Sequence, residues 1–168
     1  MKLLTQDRRR RMMLQSTRDL FAAGWLGEQV FAHLGLHRAV EVVSDPRERT
    51  RVIGEAWNKE RPFGALLLGG LVASATVDLA MAARRRDWLE LAASICALGA
   101  VGASVGCAIS GAAISSHGET PIATGFTPRP DTPRRARRAQ RVLSVFAPIG
   151  IALGVASIGL SIFARTTE

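Results

Sequence analysis

The sequence predicts an all-α integral membrane protein, and three long apolar blocks carry this prediction. The blocks are residues 63–83, 88–114 and 142–164, which hold 21, 27 and 23 residues. At about 1.5 Å of rise per residue, each is long enough to cross roughly 30 Å of hydrocarbon. The first block contains one charged residue, Asp78, the second contains Glu90, and the third contains none. Helices buried in a small soluble bundle would show a polar stripe towards water, and the third block shows none.

The charge of the chain indicates a lipid surface as a partner. The chain has 168 residues and a formal net charge of +8, from 22 basic and 14 acidic residues. The basic residues flank the apolar blocks, so we expect them to contact anionic lipid headgroups and not nucleic acid. Two cysteines, Cys96 and Cys107, lie eleven residues apart in the second block, where one helix keeps them from pairing with each other.

The amino-terminal region, residues 1–61, predicts helices outside the hydrocarbon. Residues 16–19 (STRD) form a capping-box pattern for a helix that runs to about Val43. Residues 20–36 are apolar enough to suggest a fourth span, which is the alternative fold. Glu28, Gln29 and His33 make such a span costly, so the pattern favours a helix at the interface or packed on protein, with Trp25 at the headgroup level.

Two further segments separate the blocks. Asp45 and Pro46 predict a helix start, and a polar helix is expected to run to about Lys59 before Pro62 breaks it and starts the hairpin of residues 62–114. Residues 115–141 contain four prolines and predict a loop. Its final basic run begins a helix that enters the membrane at Val142, so residues 142–168 form the third span and a short tail.

The distribution of Lys and Arg predicts the orientation. With three spans, the amino-terminal region has 12 basic residues and the loop has 6, against 4 on the opposite side. The positive-inside rule then predicts an inner-membrane protein with a cytoplasmic amino terminus. With four spans the two sides would hold 10 and 12, which favours neither side.

Charged residues between the first two blocks predict an ion cluster that closes a helical hairpin. Asp78 and Glu90 lie near the end of one span and the start of the next, and acids at such positions can reach arginine headgroups. The rival interpretation makes Asp78 a proton or ion relay in a small pore or transporter. The predicted cluster consists of Asp78, Arg84, Arg85, Arg86, Asp87 and Glu90.

Small residues spaced four apart predict close helix packing. Because lipid supplies no hydrophobic drive between helices, such residues form grooves where another helix can approach. The second block carries small residues on two faces, which predicts contact with another copy or another membrane subunit. The predicted packing positions are Gly69, Gly70, Gly102, Gly106, Ser110, Gly111, Gly150 and Gly154.

Candidates for chemistry are few. His33, His37 and Glu41 recur every four residues, the spacing of a metal half-site on one helical face, and His117 is the third histidine. Such histidines are more often surface residues, so no cofactor, no metal and no enzymatic activity are predicted. The alternative is a redox membrane domain that binds haem or metal through these histidines.

Residues 62–164 resemble a family of small bacterial membrane proteins of unknown function, some fused to a Rieske-type iron–sulfur domain. The resemblance lies in RPFGALLLGGLVASATVDLA, with Pro62 and Asp78, and in LGAVGASVGCAISGAA, near Gly111. This chain has Arg61 where the family tends to have histidine, and Ala112 and Ala113 where the family tends to have an aspartate soon after the last glycine of the second span. The resemblance implies an accessory role near a redox or respiratory assembly and carries over no functional residue.

These observations together predict a non-catalytic structural or accessory subunit of a larger membrane complex. Its partners would be other membrane subunits or further copies of itself, held through the Gly- and Ala-rich spans. Anionic lipids are expected at Arg134, Arg135, Arg137, Arg138 and Arg141.

Overall fold

A computed structural model of the chain describes residues 2–116, 121–124 and 126–167. The fold is all-α, as predicted, and three helices are long and apolar enough to cross a membrane: α3, α4 and α5. The helices are α1 (Lys2–Phe31), a π-helical segment (Ala32–Leu36), α2 (His37–Ala39), a 3-10 turn (Val40–Val42), α3 (Pro46–Arg85), α4 (Trp88–Ser115) and α5 (Arg134–Thr166).

The start of α3 follows the prediction, but its interior does not. Asp45 caps the helix by accepting a hydrogen bond from the backbone N–H of Arg47 (2.9 Å), and Pro46 occupies the first turn. The predicted break at Pro62 is wrong, because α3 is one continuous helix of 40 residues that contains Pro62. Pro62 is exposed on the helix surface, and proline is tolerated in long membrane helices when the freed backbone groups are satisfied elsewhere. α5 likewise continues through Pro148.

A tight turn joins α3 to α4. Arg86 adopts the left-handed conformation (φ 59°), and its backbone N–H bonds to the carbonyl oxygen of Ala83. Asp87 then caps α4 by accepting from the backbone N–H of Glu90 (3.2 Å). The turn therefore brings the end of α3 and the start of α4 to one end of the molecule, which we call the hairpin end.

The first helix differs most from its prediction. α1 already begins at Lys2, so residues 16–19 lie inside the helix instead of capping it, and the Thr17 hydroxyl donates to the Met13 carbonyl (2.8 Å). The helical region does end near Val43, where the backbone becomes extended. Trp25 is only 1% exposed and lies in the core, not at a surface where headgroups would reach it.

Helices α1, α3, α4 and α5 form a ring. α1 packs against α3 and α5, and α4 packs against the same two helices. Neighbouring helices are antiparallel. Along α4 and α5, the earlier residue Gly99 lies beside the later residue Leu153, and Gly106 lies beside Phe146. Between α1 and α3, Gly24 lies beside Leu67. The core of the ring contains Ala22, Trp25, Leu67, Leu71, Ala75, Ala97 and Ala100.

The described part of the segment between α4 and α5 closes the opposite end of the ring, which we call the loop end. Arg49 of α3 donates to the carbonyl oxygens of Val43 (2.8 Å) and Ala123 (2.7 Å). The Thr132 hydroxyl donates to the Pro121 carbonyl (2.8 Å). The amino-terminal region is therefore divided between two places: residues 9–19 lie towards the hairpin end, and residues 37–61 lie towards the loop end.

Candidate functional site

The most distinctive chemical feature is an ion cluster at the hairpin end, built around Arg18 of α1. The Arg18 side chain is fully buried. Its Nη1 atom lies 3.0 Å from Glu90 Oε2 and 3.3 Å from Asp78 Oδ2, and it donates to Ser94 Oγ at 3.1 Å. Its Nη2 atom lies 3.2 Å from Asp19 Oδ1. One guanidinium therefore contacts acids from three helices.

Asp19 extends the cluster to the fourth helix. Its Oδ2 atom accepts a hydrogen bond from Ser161 Oγ (3.1 Å) and pairs with the guanidinium of Arg165, both on α5. The cluster thus joins α1, α3, α4 and α5 at one level. Since charges inside a hydrocarbon-facing bundle are costly unless they are paired, this arrangement fixes the register of all four helices.

The structure changes which arginines belong to the predicted cluster. Asp78 and Glu90 do come together, each about 4% exposed. Among the described residues, however, their ion-pair partner is Arg18, and no residue of the Arg84–Arg86 run pairs with them. Those three arginines are exposed, since α3 ends there and their side chains leave the bundle. Asp87 serves as the cap of α4.

Sequence reasoning missed Arg18, Asp19, Ser94, Ser161 and Arg165. A signal for Arg18 was present. If the helix is continued back before residue 20, Arg18 falls on the same face as the buried Ala22 and Trp25, four and seven residues later. Nothing in the local sequence could have paired Asp19 with a residue 146 positions away.

A small cavity adjoins the cluster. It has a volume of about 20 Å³, which is room for a single water molecule. Asp78, Arg85, Asp87 and Glu90 are among the residues that line it. Such a cavity allows hydration of the two buried acids but does not hold a substrate.

The predicted packing positions divide into inward and outward sets. A Cβ atom at Gly154 would lie 2.7 Å from the Trp25 ring, one at Gly150 would lie 3.2 Å from Ala103, and one at Gly70 would meet the Phe21 ring. A Cβ atom at Gly106 would lie 3.0 Å from the Phe146 ring, and Ser110 is buried. These positions thus serve packing within the chain. By contrast, a Cβ at the remaining three would meet nothing within 4 Å: Gly69, Gly102 and Gly111.

The histidines do not share one helical face with Glu41. The π-helical segment and the 3-10 turn change the helical register, so His37 is buried whereas Glu41 is exposed. The rings of His33 and His37 lie 4.6 and 4.2 Å from the Phe126 ring. Burial, with a smaller contribution from the charge of His33, lowers the pKa of His37 to about 4. His117 lies outside the described residues, and within them no group of three or more ligating side chains could hold a metal ion.

The basic run begins α5, as predicted. Arg137 is partly buried and donates to the carbonyl oxygens of Pro130 (2.8 Å) and Thr132 (3.1 Å), so it holds the preceding loop. The other four side chains are exposed and available to phosphates: Arg134, Arg135, Arg138 and Arg141.

Comparisons with known proteins add no relative. No protein family, no curated protein and no solved structure matches the chain. The resemblance of residues 62–164 to the Rieske-associated membrane family therefore stays a prediction.

Proposed function

We propose that the chain is a non-catalytic accessory or structural subunit of a larger membrane protein complex. The observation that carries this proposal is the outward set of glycines, at Gly69 on α3 and Gly102 and Gly111 on α4. Their neighbouring inward positions are filled by side chains of this chain, and the outward ones face open space.

The outward surfaces have the character of helix-docking grooves. On α3, Gly69 and Ala73 are exposed and four residues apart. On α4, Gly102 is exposed between the large side chains of Ile95 and Val105, which are 55% and 50% exposed. A small residue flanked by larger apolar ones lets a second helix approach closely and pack by van der Waals contact, the main attraction between helices in lipid.

The buried chemistry of the chain favours this role over the two alternatives. Asp78 lies within an ion cluster that ties four helices together, as a structural link does, rather than along a polar path. His33 and His37 contact Phe126, so their rings already serve the packing of the loop end.

We further propose the bacterial inner membrane as the location, with the amino terminus in the cytoplasm and exposed arginines of α5 bound to anionic headgroups. Support comes from the Arg8–Arg11 run, because basic residues before the first crossing usually stay in the cytoplasm. If α1 does not cross the membrane, residues 115–141 share the cytoplasmic side; if it does, they face the other side.

The test is Gly102→Leu in the full chain, extracted from native membranes with a mild detergent. We expect the variant to lose a protein that co-purifies stoichiometrically with the wild-type chain, because leucine fills the groove. The isolated variant should be at least as stable as the wild-type chain, since a Cβ atom at position 102 would meet nothing within 4 Å and leucine has the better helix propensity.

Ala152→Leu is the matched control. Ala152 is also an exposed small residue of an apolar block but lies on α5, away from the outward glycines of α3 and α4, so this variant should keep the partner. A wild-type chain that migrates alone as a monomer, or an unchanged complex in Gly102→Leu, contradicts the proposal.

A further inference from the structure

The exposed surface of α1 and the π-helical segment carries no charge over the length of a membrane crossing. Between the exposed Arg10 and the exposed Arg38, no exposed residue is charged. The large apolar side chains among them are strongly exposed, with Leu20 and Phe31 each at 71%. The exposed residues in this stretch are Met12, Met13, Ser16, Thr17, Leu20, Ala23, Gly24, Gly27, Val30, Phe31 and Leu34.

The charged, amide and imidazole side chains between residues 12 and 37 turn towards the bundle. Arg18 is fully buried, and Asp19 pairs with Arg165. The carboxyl of Glu28 faces that of Glu60 on α3. His37 and Gln15 are buried, and Gln29 and His33 are partly buried. A helix in water would orient these groups the other way, with polar residues outside and apolar residues inside.

The position of α1 in the ring matches that of the spans. Phe21 and Gly24 lie against Gly70 and Leu67 of α3, and Asp19 and Trp25 lie against Ser161 and Gly154 of α5. The partners on α3 and α5 fall inside the apolar blocks that predict the first and third spans. The stretch from residue 12 to residue 29, which lies beside the uncharged exposed faces of both helices, has 18 residues and a length of about 27 Å, close to the hydrocarbon thickness of roughly 30 Å.

We propose that α1 crosses the membrane as a fourth transmembrane helix, with its outward face against lipid acyl chains. Lipid is the occupant because, beside residues 12–29 of α1, the exposed faces of both neighbouring helices are uncharged. α3 exposes Leu66 and Val72 there, and α5 exposes Ile149 and Val155. Exposed arginines mark both limits of this band: Arg9 and Arg10 at the hairpin end, and Arg61 of α3, beside residue 30, at the loop end.

The sequence argues against a fourth span because charged residues are costly in lipid, but this packing removes that cost. Arg18, Asp19 and Glu28 are costly in lipid when alone, but none of them faces lipid here, and the first two are paired inside the bundle. The antiparallel ring then has an even number of crossings. The start of α1, the α3–α4 turn and the end of α5 share one side of the membrane, and residues 121–124 and 126–133 lie on the other. The inference is independent of the accessory role proposed above.

The first test is sidedness of single cysteines in a background with Cys96→Ala and Cys107→Ala. Arg84→Cys reports the hairpin end and Thr127→Cys reports the loop end; both positions are exposed. In sealed vesicles with a membrane-impermeant maleimide, we expect Arg9→Cys to react from the same side as Arg84→Cys. Reaction of Arg9→Cys from the Thr127→Cys side overturns the crossing.

The second test identifies the occupant of the outward face. Bimane is attached in detergent at Ala23→Cys, and the protein is reconstituted with phosphatidylcholine that carries brominated acyl chains. We expect quenching as strong as at Val155→Cys on α5, and none at Arg9→Cys, which lies outside the hydrocarbon. Strong quenching at Val155→Cys with none at Ala23→Cys would show that water or a second copy covers this face, and it overturns the lipid contact.

Discussion

The two ends of the helical ring are stabilised by different kinds of interaction. At the hairpin end, one buried guanidinium contacts the carboxylates of Asp78 and Glu90, and the same cluster reaches all four helices. At the loop end, the histidine rings of the π-helical segment and of α2 pack against Phe126, and Arg49 donates to backbone carbonyl oxygens. The first end depends on a few charge pairs in a low-dielectric interior, and the second on several weaker contacts near water.

Because of this difference, the two ends should respond differently to single substitutions and to pH. Removing one charge from the hairpin end leaves its partners buried without a counter-charge, so a single substitution has a large effect there. The loop end should tolerate single substitutions better but respond to pH, because His37 is buried in its neutral form.

The largest expected effect is that of Arg18→Met at the hairpin end. Loss of the guanidinium leaves Asp78 and Glu90 without their partner, and we expect the free energy of unfolding to fall by about 3–5 kcal/mol. The loss is measured by heating the protein in detergent and monitoring the remaining folded fraction by size-exclusion chromatography.

Two variants sharpen that result. Arg9→Met removes an exposed arginine from the same helix and should change the stability by less than about 0.5 kcal/mol. Adding Asp78→Asn and Glu90→Gln to Arg18→Met removes the uncompensated charges and should recover part of the loss. If Arg18→Met unfolds at the wild-type temperature, the cluster does not hold the hairpin end.

The second effect is a pH dependence at the loop end. The unfolded chain binds a proton at His37 below about pH 6.5, whereas the folded chain does so only near pH 4. The stabilising contribution is therefore complete above pH 6.5 and is lost as the pH falls towards 4, by up to about 3 kcal/mol. Thermal unfolding measured between these pH values tests it, with His37→Gln as the variant that should flatten the slope. An equally steep slope in His37→Gln would assign the pH dependence to another group.

A smaller effect compares two adjacent glycines of α3, about two turns before Asp78. In Gly70→Ala the new methyl group meets the Phe21 ring, one turn from Arg18, and should cost about 1–3 kcal/mol. In Gly69→Ala the methyl group meets nothing, and the better helix propensity of alanine should stabilise by up to about 1 kcal/mol. Equal effects in the same unfolding assay would mean that α1 does not pack against α3 at this level.

Local and compositional features of the fold were predictable from the sequence. Three apolar blocks with at most one charged residue each indicate spans of membrane length, and Asp45 before Pro46 indicates a helix start, because both features depend on neighbouring residues only. The basic run that begins α5 is of the same kind. Pro62 misled because proline breaks helices in water more readily than in long membrane helices.

The place of α1 was not predictable in the same way. Arg18 and Glu28 lower the mean hydropathy of the segment, and only their distant partners on α3, α4 and α5 show that both side chains point inward. The choice of Arg18 over Arg84–Arg86 likewise depends on which helix lies beside the hairpin, a tertiary fact. The division of the glycines into inward and outward sets also requires knowing that Phe21 and Trp25 fill the grooves.

The pairing of Asp19 with Arg165 has a consequence for biogenesis. The two residues are 146 positions apart, and the ribosome adds about 5–20 residues each second, so α1 waits roughly 7–30 s for its last partner. During that time the carboxylate of Asp19 lacks its two partners on α5, Ser161 and Arg165. We therefore expect α1 to reach its final place only after α5 has been synthesised.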